Sequence, residues 1–187
     1  MDTRRPTSTS YSLRDYQPAD FRELWRIDQE CFAPGIAYSQ RELAWYMGLR
    51  GAFTIVAEAS DTSSEKGGEE KRHIAGFLVA QKQSHAVAHI VTIDVVSEAR
   101  RGGVGSLLME EAEARLRALG CNSIYLETAV DNAAALRFYK RLGYSVLKTI
   151  PRYYLGSLDA LLMGKPLEPA KENGRHAGRP SSKLGDR

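Results

Sequence analysis

The run Arg100-Arg101-Gly102-Gly103-Val104-Gly105 brings two guanidinium groups and three glycines into six residues. It follows the apolar segment AHIVTIDVV and precedes a long amphipathic pattern, so it falls where a strand's carboxyl end becomes a helix's amino end. There the first backbone N–H groups of the helix lack intrahelical partners, and the helix dipole favours an anion. Glycines at 102, 103 and 105 let the main chain approach a bound group closely. Arg100 and Arg101 can add charge-assisted bonds. Phosphate or pyrophosphate is the guest such a turn suits. A plain tight turn with a solvated arginine pair is the alternative that the glycine pattern alone leaves open.

The spacing narrows the choice of anion. The stretch lacks the Gly-Lys-Ser/Thr of a nucleotide-binding P-loop, and it does not match the GxGxxG spacing of a dinucleotide site. About twenty residues on, where a ribose would need an acidic partner, stand Asn122 and Ser123.

The elements that must hold this turn are legible around it. PADFRELWRIDQECF places Phe21, Leu24, Trp25, Asp28, Cys31 and Phe32 at helical spacing. SQRELAWYMGL opens with Ser39 and Glu42, the spacing of a capping box, so a second helix starts there. Between the two lies the turn APGIAY, which can wall a cleft, whereas Trp25, Phe32, Trp45 and Tyr46 read as core. AFTIVAEA and HIAGFLVAQ read as a hairpin separated by a long polar loop over 60–72. AHIVTIDVV, the helical GVGSLLMEEAEARLRAL closed by Gly120, and SIYLETA form a strand-helix-strand unit with parallel strands. NAAALRFYKRL is a further helix ending at Gly143, and YSVLKTI and DALLMGKPL read as closing strands. The expected class is α/β with a mixed sheet.

Composition sets the bounds. The chain has 187 residues, 43% of them hydrophobic and 26% charged, enough for one well-packed domain. Residues 1–9 and 168–187 are polar and expected to be disordered tails, leaving a domain over 10–167. A net charge of +3, with both signs mixed along the chain, gives no nucleic-acid footprint. No apolar stretch has the length of a membrane span, and the amino terminus has no apolar core of a secretory signal, so a cytoplasmic protein is expected. Cys31 and Cys121 lie far apart without a CxxC or clustered histidines, and read as reduced, packed cysteines.

Arg100-x-x-Gly103-x-Gly105 resembles the (Gln/Arg)-x-x-Gly-x-(Gly/Ala) pyrophosphate loop of the GNAT superfamily of N-acetyltransferases. Downstream, LETAVDNAAALRFYKRLGY, from Leu126 to Tyr144, is similar to the signature of the bacterial ribosomal-protein-alanine N-acetyltransferases and related N-terminal acetyltransferases. RYYL, Arg152 to Leu155, resembles their short aromatic segment before the last strand. The likeness is close from Thr92 to Lys165 and extends to the amino-terminal half only in layout. It departs at Ala129, where close relatives often carry arginine.

This resemblance implies a mostly antiparallel mixed sheet whose central parallel pair splays into a V-shaped slot for acetyl-CoA, flanked by about four helices. By the same likeness Ile93 and Val95 would offer main-chain groups to the acetyl and pantetheine portions. Arg100, Arg101, Gly102, Gly103, Val104, Gly105 and Ser106 would wrap the pyrophosphate, and Asn132 would bond the pantetheine arm. Glu127 would act as general base through water and Tyr139 as general acid toward the departing thiolate, with no metal. An α-amino group, of pKa about 7.7–8.0, needs only modest help to lose its proton; a lysine amine at about 10.4 needs more. The implied function is acetyl transfer to a primary amine, foremost the N-terminus of a protein such as a ribosomal protein. A lysine or small-molecule acetyltransferase, and a non-catalytic acyl-CoA sensor, are the alternatives.

Overall fold

The computed structural model describes residues 9–61, 71–84 and 86–168. Seven strands form one sheet: β1 (Thr9–Asp15), β2 (Ala52–Asp61), β3 (Lys71–Ser84), β4 (Val87–Val95), β5 (Ser123–Ala129), β6 (Ser145–Tyr154) and β7 (Leu158–Pro166). Their order across the sheet is β1-β2-β3-β4-β5-β7-β6. All neighbours are antiparallel except β4 and β5, which run parallel. Four helices flank it: α1 (Phe21–Cys31), α2 (Gln40–Met47), α3 (Val104–Ala118) and α4 (Ala133–Arg141).

Each helix lies where its apolar stripe finds a sheet face. Leu24 and Ile27 of α1 and Leu43 of α2 pack with Val56, Phe77 and Val79 of β2 and β3. Alternate residues of the same strands, Ile55, Ala57, Leu78 and Ala80, face the other side, where they meet Val104, Leu108, Ala112 and Leu116 of α3. The sheet is thus a divider between two cores. α2 begins as its sequence demands: Ser39 Oγ accepts from the Glu42 N–H, and the Glu42 carboxylate accepts from the Ser39 N–H at 2.9 Å. Such a cap stabilises by about 1 kcal/mol.

The helices, the β2–β3 hairpin and the closing strands lie where the sequence pattern puts them. β1 was not anticipated. Its sequence, TSYSLRD, is polar and mostly solvated, as suits an edge strand. Arg14 fixes it in place, donating to both oxygens of Asp20 at 2.7 and 2.9 Å and to Glu58 of β2 at 2.7 Å. Thr9, expected in a tail, is the first residue of that strand. Residues 1–8 and 169–187 of the expected tails, and 62–70 of the hairpin loop, lie outside the described residues.

Candidate functional site

The parallel pair parts company early. β4 and β5 pair only at Val87 with Ser123, Ala88 with Ile124 and His89 with Tyr125. Beyond that, β4 stays on β3 as far as Val95, and β5 stays on β7 as far as Ala129. A gap opens between residues 90–95 and 126–129. Backbone groups along such an edge need partners from elsewhere, because the ladder supplies none. This is the splayed slot expected from the sequence. A bulge re-aims β4 as it enters the gap: Thr92 pairs with Val79 and Ile90 with Ala80, leaving Val91 over. Ile93 and Val95 then pack toward the α3 core, while Asp94 is buried.

The glycine turn lies at the mouth of this gap. After a short 3-10 turn over Ser97–Ala99, Arg100, Arg101, Gly102 and Gly103 are exposed, Val104 is buried, and Gly105 and Ser106 are half-buried. Gly103 is the N-cap of α3 with φ +89°, a left-handed conformation that favours glycine, and a Cβ there would meet nothing within 4 Å. Its requirement is conformational, and the space before it is open. Gly105 is needed for another reason: a Cβ would lie 3.2 Å from the Phe138 ring, so this glycine lets α4 pack onto α3. The first turn of α3 contains no acidic residue, and its last turn carries Arg115 and Arg117, so the dipole is uncompensated only at the end facing the turn. Arg100 is folded back toward the strand, its Nε donating to the Val95 carbonyl at 2.9 Å and its Nη2 lying 3.5 Å from Cys31 Sγ. Cys31 does more than fill space, since its thiol also donates to that carbonyl at 3.4 Å. Asn132 is the N-cap of α4, its side-chain oxygen accepting from the Ala135 N–H at 3.0 Å.

Glu127 and Tyr139 approach from opposite faces of the sheet. Ile124 and Leu126 of β5 face the α3 core, so Glu127, between Leu126 and Thr128, faces the α1–α2 side. There its Oε2 lies 2.7 Å from His89 Nε2, which as the N–H partner of a carboxylate is the donor. The His89 ring stacks on Tyr125 with centroids 4.5 Å apart. Tyr139 belongs to the α3 core, and burial pushes its hydroxyl well above the usual phenol range, with the charge of Asp94 adding to the effect. It stays protonated.

Tyr125, Tyr153 and Tyr154 lie near enough to Glu127 to feel its charge, and further aromatic pairs line the same face. Tyr38 and Tyr46 have centroids 5.0 Å apart, Trp45 and Tyr46 4.8 Å, and Tyr153 and Tyr154 4.9 Å. Burial pushes the Tyr153 hydroxyl up to about 12 and raises that of Tyr154, and the Glu127 charge contributes to both. Trp45, expected in the core, is 59% exposed. Across the top, a Cβ on Gly35 would lie 2.5 Å from Leu155 Cδ2, so the β6–β7 turn rests directly on the α1–α2 loop. Arg152 and Leu155 both take positive φ, 53° and 55°, to bring that turn over. Among the described residues no three His, Cys, Asp or Glu side chains gather as a metal-binding set.

The sequence reading singled out Glu127, Tyr139, Asn132 and the glycine turn but not His89. Its signal was present: a parallel register for AHIVTIDVV and SIYLETA sets His89 beside Tyr125 and within reach of Glu127. The pairing itself needs the fold.

Comparison with known proteins agrees with this geometry. The model of the acetyltransferase (GNAT) family matches residues 20–144. An N-alpha-acetyltransferase of Sulfurisphaera tokodaii is 36% identical over 80 residues, covering 42% of this chain and 48% of the relative. The chain spans about half the length of the relatives it matches in sequence, at 48% and 54% for two of them. Among solved structures, Ard1 from Thermoplasma volcanium superposes with a TM-score of 0.68 at 27% identity, covering 83% of this chain and 97% of that one. The ribosomal-protein-S18-alanine N-acetyltransferase of Escherichia coli shares the fold, with a TM-score of 0.68 at 24% identity, covering 88% and 98%. With the family model matching more than half of its residues, the chain belongs to the GNAT family of acetyltransferases.

Proposed function

We propose that the protein transfers an acetyl group from acetyl-CoA to the α-amino group at the N-terminus of a protein or peptide. The donor is the one this family uses. The observation that carries the reading is the gap between β4 and β5, bordered on one face by the glycine turn of α3 and entered from the other past Glu127. A long, thin donor with a phosphate-rich end suits a cleft in a sheet that opens onto a helix N-terminus. The open space before Gly103 and the absence of acid in the first turn of α3 fit the pyrophosphate.

The chain's own groups supply the remaining requirements. Main-chain N–H groups of Ile93 and Val95 orient and polarise the acetyl carbonyl. Asn132, while capping α4, offers its amide NH2 to the donor's pantetheine arm. Glu127, oriented by His89, takes the proton of the incoming amine through a water as the amine's lone pair forms the new C–N bond. On the opposite face Tyr139 gives its proton to sulfur as the C–S bond breaks, leaving amide and thiol. Solvent returns the proton to Tyr139. No redox partner is needed.

The acceptor side favours a chain terminus over an internal lysine. The contact of Leu155 with Gly35 roofs the opening, so the amine enters end-on between the α1–α2 loop and the β6–β7 turn. An N-terminal alanine or serine of a ribosomal protein is the finer proposal, prompted by the sequence likeness and by the substrate named for the Escherichia coli neighbour. The test is thiol release from acetyl-CoA with peptides that differ in first residue, beside a lysine peptide with a blocked amino end, polyamines and aminoglycosides. Release driven by free amino termini supports the reading. Release driven only by the lysine peptide or by small amines overturns it.

A further inference from the structure

Three charged side chains and a phenol meet where α3, β7 and the end of α4 converge. Glu113 of α3 is 5% exposed, and both of its carboxylate oxygens are engaged. Oε1 accepts from Lys165 Nζ of β7 at 2.8 Å and from the Tyr144 hydroxyl at 3.2 Å, and Oε2 accepts from Arg117 Nη2 at 3.0 Å. A charge this deeply buried is tolerated because its partners are close and two of them are cations. Burial, with the Glu113 charge adding to it, pushes the Tyr144 hydroxyl well above the usual phenol range, so it stays a donor. None of these four residues has a task in the reaction so far.

The cluster grips α4 at the turn that carries Tyr139. Leu142 closes the helix, and Gly143 follows with φ +87°, the left-handed conformation that glycine favours. The Tyr144 N–H then donates to the Tyr139 carbonyl at 3.0 Å and the Gly143 N–H to the Lys140 carbonyl at 3.1 Å, the paired bonds of a Schellman cap. That cap therefore hangs from Tyr139, and the rings of Tyr139 and Tyr144 lie with centroids 5.9 Å apart. Lys165 adds a second tie. Besides bonding Glu113 it donates to the Leu142 carbonyl at 2.7 Å, a cation at the negative end of the helix dipole. On the other side of Tyr139 in the chain, Phe138 rests against Gly105 of α3.

A phenol acts as an acid only where its O–H meets the atom that takes the proton. Tyr139 lies in the last turn of α4, and helix ends fray unless they are held. We propose that Glu113 and Lys165 are positioning residues for Tyr139: with Tyr144 they lock the last turn of α4 onto α3 and β7, and so fix where the phenol delivers its proton. The proposal rests on the N-acetyltransferase reading and on Tyr139 as its acid. On that reading α3 carries both the turn offered to the pyrophosphate and the carboxylate that holds the acid in place.

Lys165→Met tests this, since it keeps an apolar stem and removes the ammonium, leaving Glu113 with Arg117 and Tyr144. Steady-state kinetics are run on the full chain with one peptide acceptor. kcat should fall at least about tenfold, within the roughly hundredfold that a misplacement of about 1 Å can cost. KM for acetyl-CoA and for the peptide should stay within about twofold. The same substitution made in Tyr139→Phe should change kcat by less than about twofold, because no acid is left to misplace. Tyr144→Phe keeps the ring and removes one donor to Glu113; it should act in the same direction, and it carries the test if Lys165→Met does not fold. Tyrosine ring-carbon NMR provides a readout independent of turnover: the signal that disappears in Tyr139→Phe should shift in Lys165→Met. Equal losses of kcat in the two backgrounds would mark a general structural effect and overturn the proposal. An unchanged kcat, or a Tyr139 signal that does not move, would overturn it as well. If no peptide is acetylated, or if Tyr139→Phe turns over normally, the reading beneath it fails instead, and the NMR signal still decides whether the cluster holds Tyr139.

Discussion

The two sides of the gap between β4 and β5 are built from different materials. The side proposed for the donor is main chain: a left-handed glycine, the free end of α3 and an unpaired strand edge, all within one stretch of sequence. The side proposed for the acceptor is made of side chains brought from four distant segments: Tyr38 and Tyr46, His89, Tyr125 and Glu127, and Tyr153 with Leu155. Backbone recognition suits a partner that never changes, whereas side chains can be exchanged to choose among acceptors without disturbing the fold. The donor side should therefore fail when its geometry is strained, and the acceptor side when single functional groups are removed.

The largest effects should come from the groups that handle protons. Glu127→Gln should lower kcat by roughly 10²- to 10⁴-fold, and Tyr139→Phe should do so in the same range. Acetyl-CoA affinity should barely move in either, as equilibrium titration would reveal. Unchanged turnover in both variants would remove their assigned roles. A smaller loss, confined to the other side, is expected for Gly103→Val. Forcing a β-branched residue into φ +89° costs about 1–3 kcal/mol or distorts the turn, which corresponds to about five- to 150-fold in acetyl-CoA Kd. Smallest is Leu155→Ala. This side chain is 62% exposed, so stability should change by no more than about 0.5 kcal/mol. Its removal opens the roof over Gly35, and the preference for a free amino terminus over a lysine peptide should narrow. An unchanged preference would show that the roof does not select.

The same contrast explains what could be read from the chain itself. The residues proposed for the donor side could be named from the chain because they are contiguous: the glycines mark a strand-to-helix turn, and Asn132 and Tyr139 follow within one helix. Even there the physical reasons differ, since Gly105 serves the packing of Phe138 as much as any ligand. The acceptor side was legible only in fragments. Glu127 could be named, but its partner His89 lies 38 residues earlier and meets it only through the parallel register. Asp28 stood on the apolar stripe of α1 and Asp94 inside an apolar strand, both out of character for their surroundings. That mismatch was the available signal, although how deeply each acid is buried depends on how α1 packs on β4. β1 escaped notice because an edge strand fixed by Arg14 needs neither an apolar run nor a strict alternation.

Titrating acetyl-CoA into Glu127→Gln and Gly103→Val side by side separates the two sides of the gap. Wild-type affinity is expected for the first and a loss of at least about fivefold for the second, in proteins that both remain folded. Weakened binding in Glu127→Gln together with full affinity in Gly103→Val would contradict this division, and would place the donor on the face assigned here to the amine.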